Sequence, residues 1–356
     1  MENCLICNSI DVSKIDPSTF LFPARSSNSE FHTYQNIYCA NCGVVQMNKF
    51  PNKEKLMHYY RNNYRDSDFA INLADERKID IPIQIPWSGY SFARFINFYE
   101  LLLACPHLKP PSQNDTFIDI GGYQGFFLLA VSKVFGSKVL NYEYSLDGLE
   151  FAKNALNIPG FEAKEITTDD IGTRANIVSL VHVFEHLEDP SGFLKHLHSN
   201  ILNDDGYIYI EVPNAYGFPL SDPTHFFTYT KISLSNILTS HGFKIEKIVV
   251  QGNQKYGWDI DNNHMNISVI ASKTNILSND YIAPLDTNKF VKDLKKSYSR
   301  IHKNLLALKL KRLFKDIFLL IIYLVIFVPE KTLKIDMRPI ISRCKGIFIK
   351  KNNDSN

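Results

Sequence analysis

Four cysteines form two pairs whose spacing suits metal binding. Cys4 and Cys7 lie in the run CLIC, Cys39 and Cys42 lie in the run CANC, and 31 residues separate the two runs. Two such pairs can place four thiolates in a tetrahedron, and zinc held by four thiolates is structural because no coordination position stays open. A disulfide, which is rare in a reducing compartment, and an iron–sulfur cluster are the alternatives. The cysteines therefore predict a zinc ribbon over residues 1–50.

A glycine-rich turn follows an apolar run at residues 116–120. That run has the β-favouring composition of a buried strand, and residues 126–134 beyond the turn have the length and the Ala and Leu content of a helix. In a doubly wound α/β domain, ligands bind beyond the carboxyl ends of the strands, where glycine lets backbone N–H groups and the positive end of a helix approach them. The residues predicted to bind a cofactor here are Asp119, Gly121, Gly122, Tyr123 and Gly125.

Acidic residues after the next two predicted strands extend this cofactor site. Glu143 follows the strand predicted at 138–142 and lies 18 residues after Gly125. Doubly wound folds place a carboxylate at this point, where it accepts hydrogen bonds from ribose hydroxyls. The spacing does not separate NAD from other adenosine cofactors. Asp169 or Asp170, after a third strand, could face an adenine amino group, and a solvated turn is the alternative.

Histidine and glutamate residues follow a fourth strand, predicted at 175–183. The loop after it contains Glu185 and His186, and His225 lies in a later loop. Histidine titrates near neutrality and suits proton removal, with a structural hydrogen bond as the alternative for each residue. His186 is favoured as the base because its loop directly follows the strand next to the cofactor, and Glu185 and His225 are further catalytic candidates. His182, within the predicted strand, is assigned to cofactor binding, with a structural role as the alternative.

An aromatic segment at residues 56–69 reads LMHYYRNNYRDSDF. Its tyrosines either pack on the larger domain as part of a helix and linker, or form a polar aromatic wall over the active site. Such a wall could stack on a sugar and form hydrogen bonds with it. Tyr64 is the catalytic candidate of this segment.

The remaining pattern predicts one large α/β domain. A chain of 356 residues with 45% hydrophobic and 21% charged residues can bury a full core. Two late strands, predicted at 243–250 and 265–272, have no long helix between them, which favours an antiparallel hairpin at the sheet edge. NAD-binding domains usually lack this ending. The other predicted elements are helices at 91–105, 146–157 and 231–240, a helix from Pro190, a strand at 161–166, and a fifth strand that follows a turn at Asp205 and Gly206 and runs to Val212.

The C-terminal tail concentrates positive charge. From Thr287 onward there are 17 Lys and Arg against 5 Asp and Glu, a net of +12, whereas the rest of the chain carries −10. Apolar residues such as Phe290 and Leu294 recur at helical spacing, and 12 apolar residues follow at 317–328. A membrane-spanning helix needs about 20 residues. The tail is therefore predicted to lie in the interface of an anionic membrane leaflet, with packing within the protein or a homodimer, and a true span, as alternatives.

The motifs between residues 90 and 272 resemble those of the class I S-adenosylmethionine-dependent methyltransferases. The fourth strand leads into HVFEHLEDP, the fifth reads GYIYIEVPN, and a GF pair precedes the sixth. With the cysteines in front, the chain is similar to the sugar methyltransferases that carry an N-terminal zinc-binding domain, and its IGGYQG turn resembles their IGxNDG form. Tyr123 stands where the commonest pattern has a second glycine.

The resemblance implies roles for single residues and an acceptor. It places Asp119, Gly121 and Gly125 around the methionine part of S-adenosylmethionine, Glu143 on its ribose, and His186 and His225 in the active site. Sugar C-methyltransferases of this type have a YHEH pattern at the later histidine, whereas DPTH stands here at residues 222–225. The residues for forming a carbanion are therefore incomplete, which favours methylation at oxygen, with nitrogen as an alternative.

The expected fold is a doubly wound, mostly parallel seven-stranded sheet of the class I methyltransferase type, with a small zinc ribbon and a helical tail. The expected function is methyl transfer to a sugar hydroxyl of a nucleotide sugar or a surface-polysaccharide precursor, in the cytoplasm because the start of the chain shows no secretory signal. A non-catalytic scaffold, a nucleic-acid methyltransferase and a nicotinamide oxidoreductase are the alternatives. No nucleic-acid partner is expected, because the basic residues lie in the tail. The predicted segments are the ribbon at 1–50, a linker and substrate-side segment at 51–89, the methyltransferase domain at 90–275 and the basic tail at 287–356.

Overall fold

The computed structural model describes residues 3–16, 35–50, 52, 54, 90–155, 161–165, 172–217, 224–251, 265–276, 282–300 and 303. The chain divides into two compact units, residues 1–299 and 300–356, and every element below belongs to the first. Several predicted features lie outside the described residues. They are Tyr64 with its aromatic segment, Asp169 and Asp170, residues 222 and 223 of the DPTH segment, and the apolar run at 317–328.

The described elements alternate between strands and helices over most of the chain. The strands are β1 Val12–Lys14, β2 Asn36–Cys39, β3 Val45–Met47, β4 Thr116–Ile120, β5 Lys138–Glu143, β6 Phe161–Glu165, β7 Ala175–Val181, β8 Leu202–Pro213, β9 Phe227–Thr228, β10 Phe243–Gln251 and β11 Asn266–Lys273. The helices are α1 Tyr90–Leu103, α2 Phe126–Phe135, α3 Leu146–Ala155, α4 Pro190–His196, continued by a π-turn at Leu197–Ile201, and α5 Lys231–Thr239, and residues 287–299 form α6.

A seven-stranded sheet forms the centre of the first unit. Its strand order is β10-β11-β8-β7-β4-β5-β6, with β4 to β8 parallel and β11 antiparallel to both of its neighbours. Most residues of the inner strands are buried, as expected for parallel strands covered on both faces. The predicted doubly wound sheet with an antiparallel hairpin at its edge is therefore confirmed. The carboxyl ends of β4, β5 and β7 meet at one edge, where the glycine turn lies.

The structure corrects two predicted boundaries. The fourth strand ends at Val181 and not at Val183, because His182 adopts a left-handed conformation with φ of +56°. The predicted turn at Asp205 and Gly206 lies inside β8, which begins at Leu202. Residues 203–206 form a bulge there, since Ala175 pairs with Leu202 and Ile177 already pairs with Tyr207.

The cysteine-bearing segment forms a second, four-stranded sheet with the order β1-β2-β3-β9. β9 follows β8 in the chain, and its residues Phe227 and Thr228 pair with Gln46 and Val45 of β3. The backbone N–H of Met47 also donates a hydrogen bond to the Phe226 carbonyl at 2.9 Å. The ribbon is thus completed by the segment that carries His225.

The first turns of the tail pack against the protein itself. Phe290, Leu294 and Tyr298 of α6 are each 1% exposed, and the Phe290 ring stacks on Tyr38 of the ribbon at 4.1 Å. The Tyr298 hydroxyl donates to the Ala215 carbonyl at 2.6 Å. For residues 287–299 the structure therefore shows packing within the protein, which is one of the predicted alternatives. Among the described residues, no helix has the length and apolar character needed to cross a membrane.

Candidate active site

The glycine turn after β4 has a left-handed backbone at several positions and packs against the loop after β7. Gly121 and Gly125 adopt left-handed conformations with φ of +72° and +75°, and Tyr123 does so as well with φ of +48°. A Cβ atom on Gly121 would collide with the Val183 side chain. Glycine is therefore needed here for the close approach of the loop after β7, in addition to the predicted approach of a cofactor.

A buried polar pocket lies beside Gly122. Asp119 is 2% exposed, and its Oδ1 accepts a hydrogen bond from the Ser179 hydroxyl at 2.6 Å. Burial raises the pKa of Asp119 to about 7, although the hydrogen bond from Ser179 and the charge of Arg94 lower it. Asn141 is fully buried, and within the described part of the chain its Oδ1 accepts no hydrogen bond. A Cβ atom on Gly122 would fill the space between the Asp119 and Asn141 oxygens.

Glu143 is fixed at the end of β5 by three backbone N–H groups. Tyr123 donates to Oε2 at 2.6 Å, and Tyr144 and Ser145 donate to Oε1 at 2.7 Å each. The carboxylate thus links the glycine turn to the start of α3. This is the position at which the sequence predicts contact with a ribose.

His182 lies between two buried carboxylates at the end of β7. Its Nδ1 is 3.4 Å from Glu185 Oε1, and its Nε2 is 3.3 Å from Glu211 Oε1. Both glutamates are only 1% exposed. The left-handed backbone of His182 turns the chain away from the sheet here, so that its side chain lies next to the loop that carries Glu185 and His186.

Glu211 anchors a hydrogen-bond network that the sequence analysis did not identify. Its Oε2 accepts hydrogen bonds from Asn97 at 3.1 Å, Tyr209 at 3.1 Å and Ser268 at 3.0 Å. Burial favours the neutral acid, but His182, Arg94 and Asn97 together lower the pKa of Glu211 to about 2. The available signal was an acidic residue inside the apolar run YIYIEVP, since a buried carboxylate needs such partners.

His186 is oriented by the segment that precedes β9. Its Nδ1 lies 2.8 Å from the Thr224 carbonyl. Because a carbonyl can only accept, Nδ1 carries the proton and Nε2 carries the lone pair in the neutral ring. The His225 ring stands nearly perpendicular to the His186 ring at 4.7 Å. The two histidine rings and the Glu185 carboxylate therefore form one cluster, because Glu185 Oε1 lies 3.8 Å from His186 Nε2.

Glu185 is the buried charge of this cluster. Burial would raise its pKa, but His182, His186 and His225 act in the opposite direction and lower the pKa of Glu185 to about 2. Among the described residues, no donor meets hydrogen-bond geometry with either carboxylate oxygen of Glu185, and the ring nitrogens His182 Nδ1 and His186 Nε2 lie 3.4 Å and 3.8 Å from Oε1. An ionised carboxylate in such a site needs a compensating cation or donor.

The four cysteines converge as predicted. Their sulfur atoms all lie within 4.8 Å of one another, and the Cys4–Cys42 and Cys7–Cys39 pairs are each 3.6 Å apart. Zinc–sulfur bonds of about 2.3 Å imply sulfur separations of about 3.8 Å in a tetrahedron. All four cysteines have free thiols. The cluster therefore fits a tetrahedral metal ion, with zinc as the metal that such a thiolate set favours.

Neighbouring thiols perturb one another strongly in this cluster. Hydrogen bonds from Cys39 and Cys4 lower the pKa of the Cys7 thiol, and hydrogen bonding with Cys4 lowers the pKa of Cys39 to about 7. Interaction with Cys39 raises the pKa of the Cys42 thiol. A divalent cation would remove this conflict by binding all four groups as thiolates.

Residues 91–248 match the family model described as a methyltransferase domain. This part of the chain has the Rossmann-like fold of the methyltransferases. Comparison with curated proteins gives no match. Similar solved structures include an S-adenosylmethionine-dependent methyltransferase from Aquifex aeolicus, with 17% identity over 49% of this chain and 90% of that chain and a TM-score of 0.40. Another, from Mesorhizobium loti, has 15% identity over 48% and 96% of the two chains and a TM-score of 0.41. Geranyl diphosphate C-methyltransferase from Streptomyces coelicolor has 12% identity over 50% and 81% and a TM-score of 0.39.

The residues of the methyltransferase domain fit S-adenosylmethionine. Asp119 and the Asn141 Oδ1 atom offer buried acceptors beside the glycine turn, and Glu143 offers a carboxylate at the end of the next strand. The glycine turn follows β4, Glu143 ends β5, and the loop with Glu185 and His186 follows β7. His225 lies immediately before β9, and its ring is 4.7 Å from the His186 ring. The roles of the single residues remain predictions, as do those of Tyr64 and Asp169, which lie outside the described residues.

Proposed function

We propose that this enzyme transfers the methyl group of S-adenosylmethionine to a hydroxyl group of a sugar, in a nucleotide sugar or a surface-polysaccharide precursor. The observation that carries the proposal is the orientation of His186. Its Nδ1–H donates to the Thr224 carbonyl, which leaves the Nε2 lone pair for a proton from an acceptor. Buried Glu185 beside the ring stabilises the imidazolium that forms.

The transfer requires two bonds to form, one from oxygen to carbon and one from nitrogen to hydrogen, and two bonds to break, one from carbon to sulfur and one from oxygen to hydrogen. The acceptor oxygen forms a bond to the methyl carbon while the carbon–sulfur bond breaks, and the electron pair of that bond stays on the sulfur. The acceptor proton passes to His186 Nε2. The cofactor supplies an already activated methyl group, so the residues of the chain mainly position the two reactants, which can contribute on the order of 7 kcal/mol or more. A general base adds roughly 10²- to 10⁴-fold in rate.

The geometry of the turn supports the proposed cofactor roles. Glu143 would accept hydrogen bonds from the ribose hydroxyls, and Asp119 would lie towards the positively charged methionine part. Tyr123, with its left-handed backbone and its N–H on Glu143, would couple the turn to the ribose carboxylate. His182 would border the cofactor from the side of β7.

The zinc ribbon has a structural role in this proposal. β9 is held in the ribbon sheet, and Thr224 and His225 lie immediately before it. Zinc at the four cysteines would therefore fix the backbone that orients His186. The proposed location is the cytoplasm, with the remainder of the basic tail able to contact an anionic membrane leaflet or to join two copies of the chain.

Methyl transfer can be tested with full-length protein, labelled S-adenosylmethionine and a panel of nucleotide sugars, with the product analysed by NMR. His186→Asn keeps a donor near the Nδ1 position and removes the Nε2 lone pair. We expect it to lower kcat by roughly 10²- to 10⁴-fold with cofactor affinity retained. The matched control is His107→Asn, because His107 is exposed and far along the chain from this site.

Three results would count against the proposal. Near-normal turnover of His186→Asn would refute the role of His186 as the base. A methyl group on carbon in the product would refute oxygen as the acceptor atom. Failure of the wild-type chain to bind S-adenosylmethionine in a titration, or equal affinity in Glu143→Ala and in the exposed control Glu150→Ala, would refute the cofactor site.

A further inference from the structure

Three potential metal ligands converge in the proposed acceptor site, separately from the cysteine cluster. Glu185, His186 and His225 each offer one ligand atom, and these atoms all lie within 4.8 Å of one another. Two of the residues share the loop after β7, and the third comes from the segment that precedes β9. Two histidines and one carboxylate form a facial set that leaves coordination positions open for other ligands.

The separations are close to those of a bound ion. Metal–ligand bonds of about 2.1 Å place neighbouring ligand atoms roughly 3 Å apart and opposite ones roughly 4.2 Å apart. The His186 Nε2 to Glu185 Oε1 distance is 3.8 Å, inside this range. The ligand atoms all lie within 4.8 Å of one another, so the largest separation exceeds the range by less than about 1 Å.

Two further observations point to a ligand at this position. Glu185 is 1% exposed, and neither of its oxygens meets hydrogen-bond geometry with a donor among the described residues, so its buried negative charge is balanced by histidine rings at 3.4 Å and 3.8 Å and has room for a further cation. His186 donates its Nδ1–H to the Thr224 carbonyl. This is the outer hydrogen bond that metal-ligating histidines usually make, and it directs Nε2 towards the centre of the cluster.

We propose that Glu185, His186 and His225 bind a divalent first-row transition-metal ion in the acceptor site. Imidazole nitrogen with one carboxylate favours ions such as Mn²⁺, Co²⁺, Ni²⁺ or Zn²⁺ over Mg²⁺, which prefers oxygen ligands. The proposal rests on the proposed function for the acceptor hydroxyl. It reassigns the Nε2 lone pair of His186 from a proton acceptor to a metal ligand when the ion is bound.

The ion would take the acceptor oxygen at an open coordination position and make its proton acidic. The proton passes to a water molecule, the oxygen forms its bond to the methyl carbon, and the electron pair of the broken carbon–sulfur bond remains on sulfur. A sugar with two adjacent hydroxyls suits such an ion, because both oxygens could bind at once.

Mn²⁺ is the probe for the test, because it binds nitrogen and oxygen ligands and competes poorly for the four thiolates. Full-length protein, dialysed against a chelator and checked for retained zinc, is titrated with Mn²⁺ and followed by electron paramagnetic resonance. We expect one Mn²⁺ per chain and a loss of affinity of roughly tenfold or more in Glu185→Gln. Glu246→Gln is the matched control, because Glu246 is a carboxylate on the edge strand β10 that binds His107 and Lys244.

His225→Ala gives a second, independent variant, and S-adenosylmethionine binding by each variant shows whether the fold is kept. Absence of Mn²⁺ binding by the wild type would overturn the proposal, and so would equal Mn²⁺ affinity in Glu185→Gln and Glu246→Gln. Either result with intact cofactor binding and methyl transfer would leave the proposed function standing. Loss of cofactor binding by the wild type would instead refute the proposed function.

Discussion

Asp119 makes a quantitative prediction about pH and stability. Its carboxyl has a pKa of about 7 in the folded chain against an ordinary value of 3.8, mainly because of burial. Between these two values the folded state holds a proton that the unfolded state has released. The free energy of unfolding therefore falls as pH rises from 3.8 to about 7, by on the order of 4 kcal/mol in total.

The perturbation is Asp119→Asn, which keeps an acceptor for the Ser179 hydroxyl and cannot ionise. At pH 5 the carboxyl is protonated in the folded chain and ionised in the unfolded chain, so the variant should already be more stable than the wild type by roughly 1.6 kcal/mol. At pH 8 the variant should be more stable, by up to about 4 kcal/mol. Urea unfolding followed by circular dichroism at pH 5, 6, 7 and 8 measures this difference, with Asp205→Asn as an exposed control that should follow the wild type.

The affinity for the cofactor should rise with pH, whereas the free energy of unfolding falls. The proposed cofactor carries positive charge near Asp119, so its binding favours the ionised carboxylate, and wild-type affinity should rise by up to about tenfold per pH unit below pH 7. In Asp119→Asn the affinity should be weaker, and this component of its pH dependence should be absent. Parallel stability curves for wild type and Asp119→Asn from pH 5 to 8 would refute the reasoning, since Asp119 would then be ionised already in the folded chain.

Three further predictions concern the supports of the site. A Cβ in Gly148→Ala would lie 2.6 Å from the Tyr123 ring, so we expect the free energy of unfolding to fall by about 1–3 kcal/mol. Tyr123→Gly should restore this loss, and additive effects of the two changes would contradict the contact. Glu211→Gln removes one of the two charges beside His182, so we expect the free energy of unfolding to fall by about 3–5 kcal/mol and kcat to fall as well. Urea unfolding and a methyl-transfer assay measure these effects, and an unchanged unfolding midpoint would disprove the buried ion pair. Cys42→Ala should lose zinc and methyl transfer together, measured by elemental analysis and product formation, and full activity without zinc would show that the ribbon does not orient the acceptor site.

The sheet and the cofactor turn could be predicted because their signals are local. The strand at 116–120, the glycines after it and the carboxylate of Glu143 lie close together in sequence, and the parallel strands have continuous apolar runs. The left-handed backbone of His182 could not be predicted, because non-glycine residues rarely adopt it and one partner of its side chain, Glu211, lies in a different strand. The network around Glu211 likewise joins residues from α1, β8 and β11 that no local pattern relates.

The contact between the ribbon and the proposed acceptor site joins residues that are far apart in the sequence. β9 has only two residues, so it carries no periodic pattern, and its pairing with β3 joins positions about 180 residues apart. That pairing brings the backbone of Thr224 to the Nδ1 of His186. The orientation of the proposed base therefore depends on a strand pairing that the ribbon supplies. The cysteine-bearing sheet in front of the methyltransferase domain can thus support the proposed acceptor site without contributing any side chain that reacts.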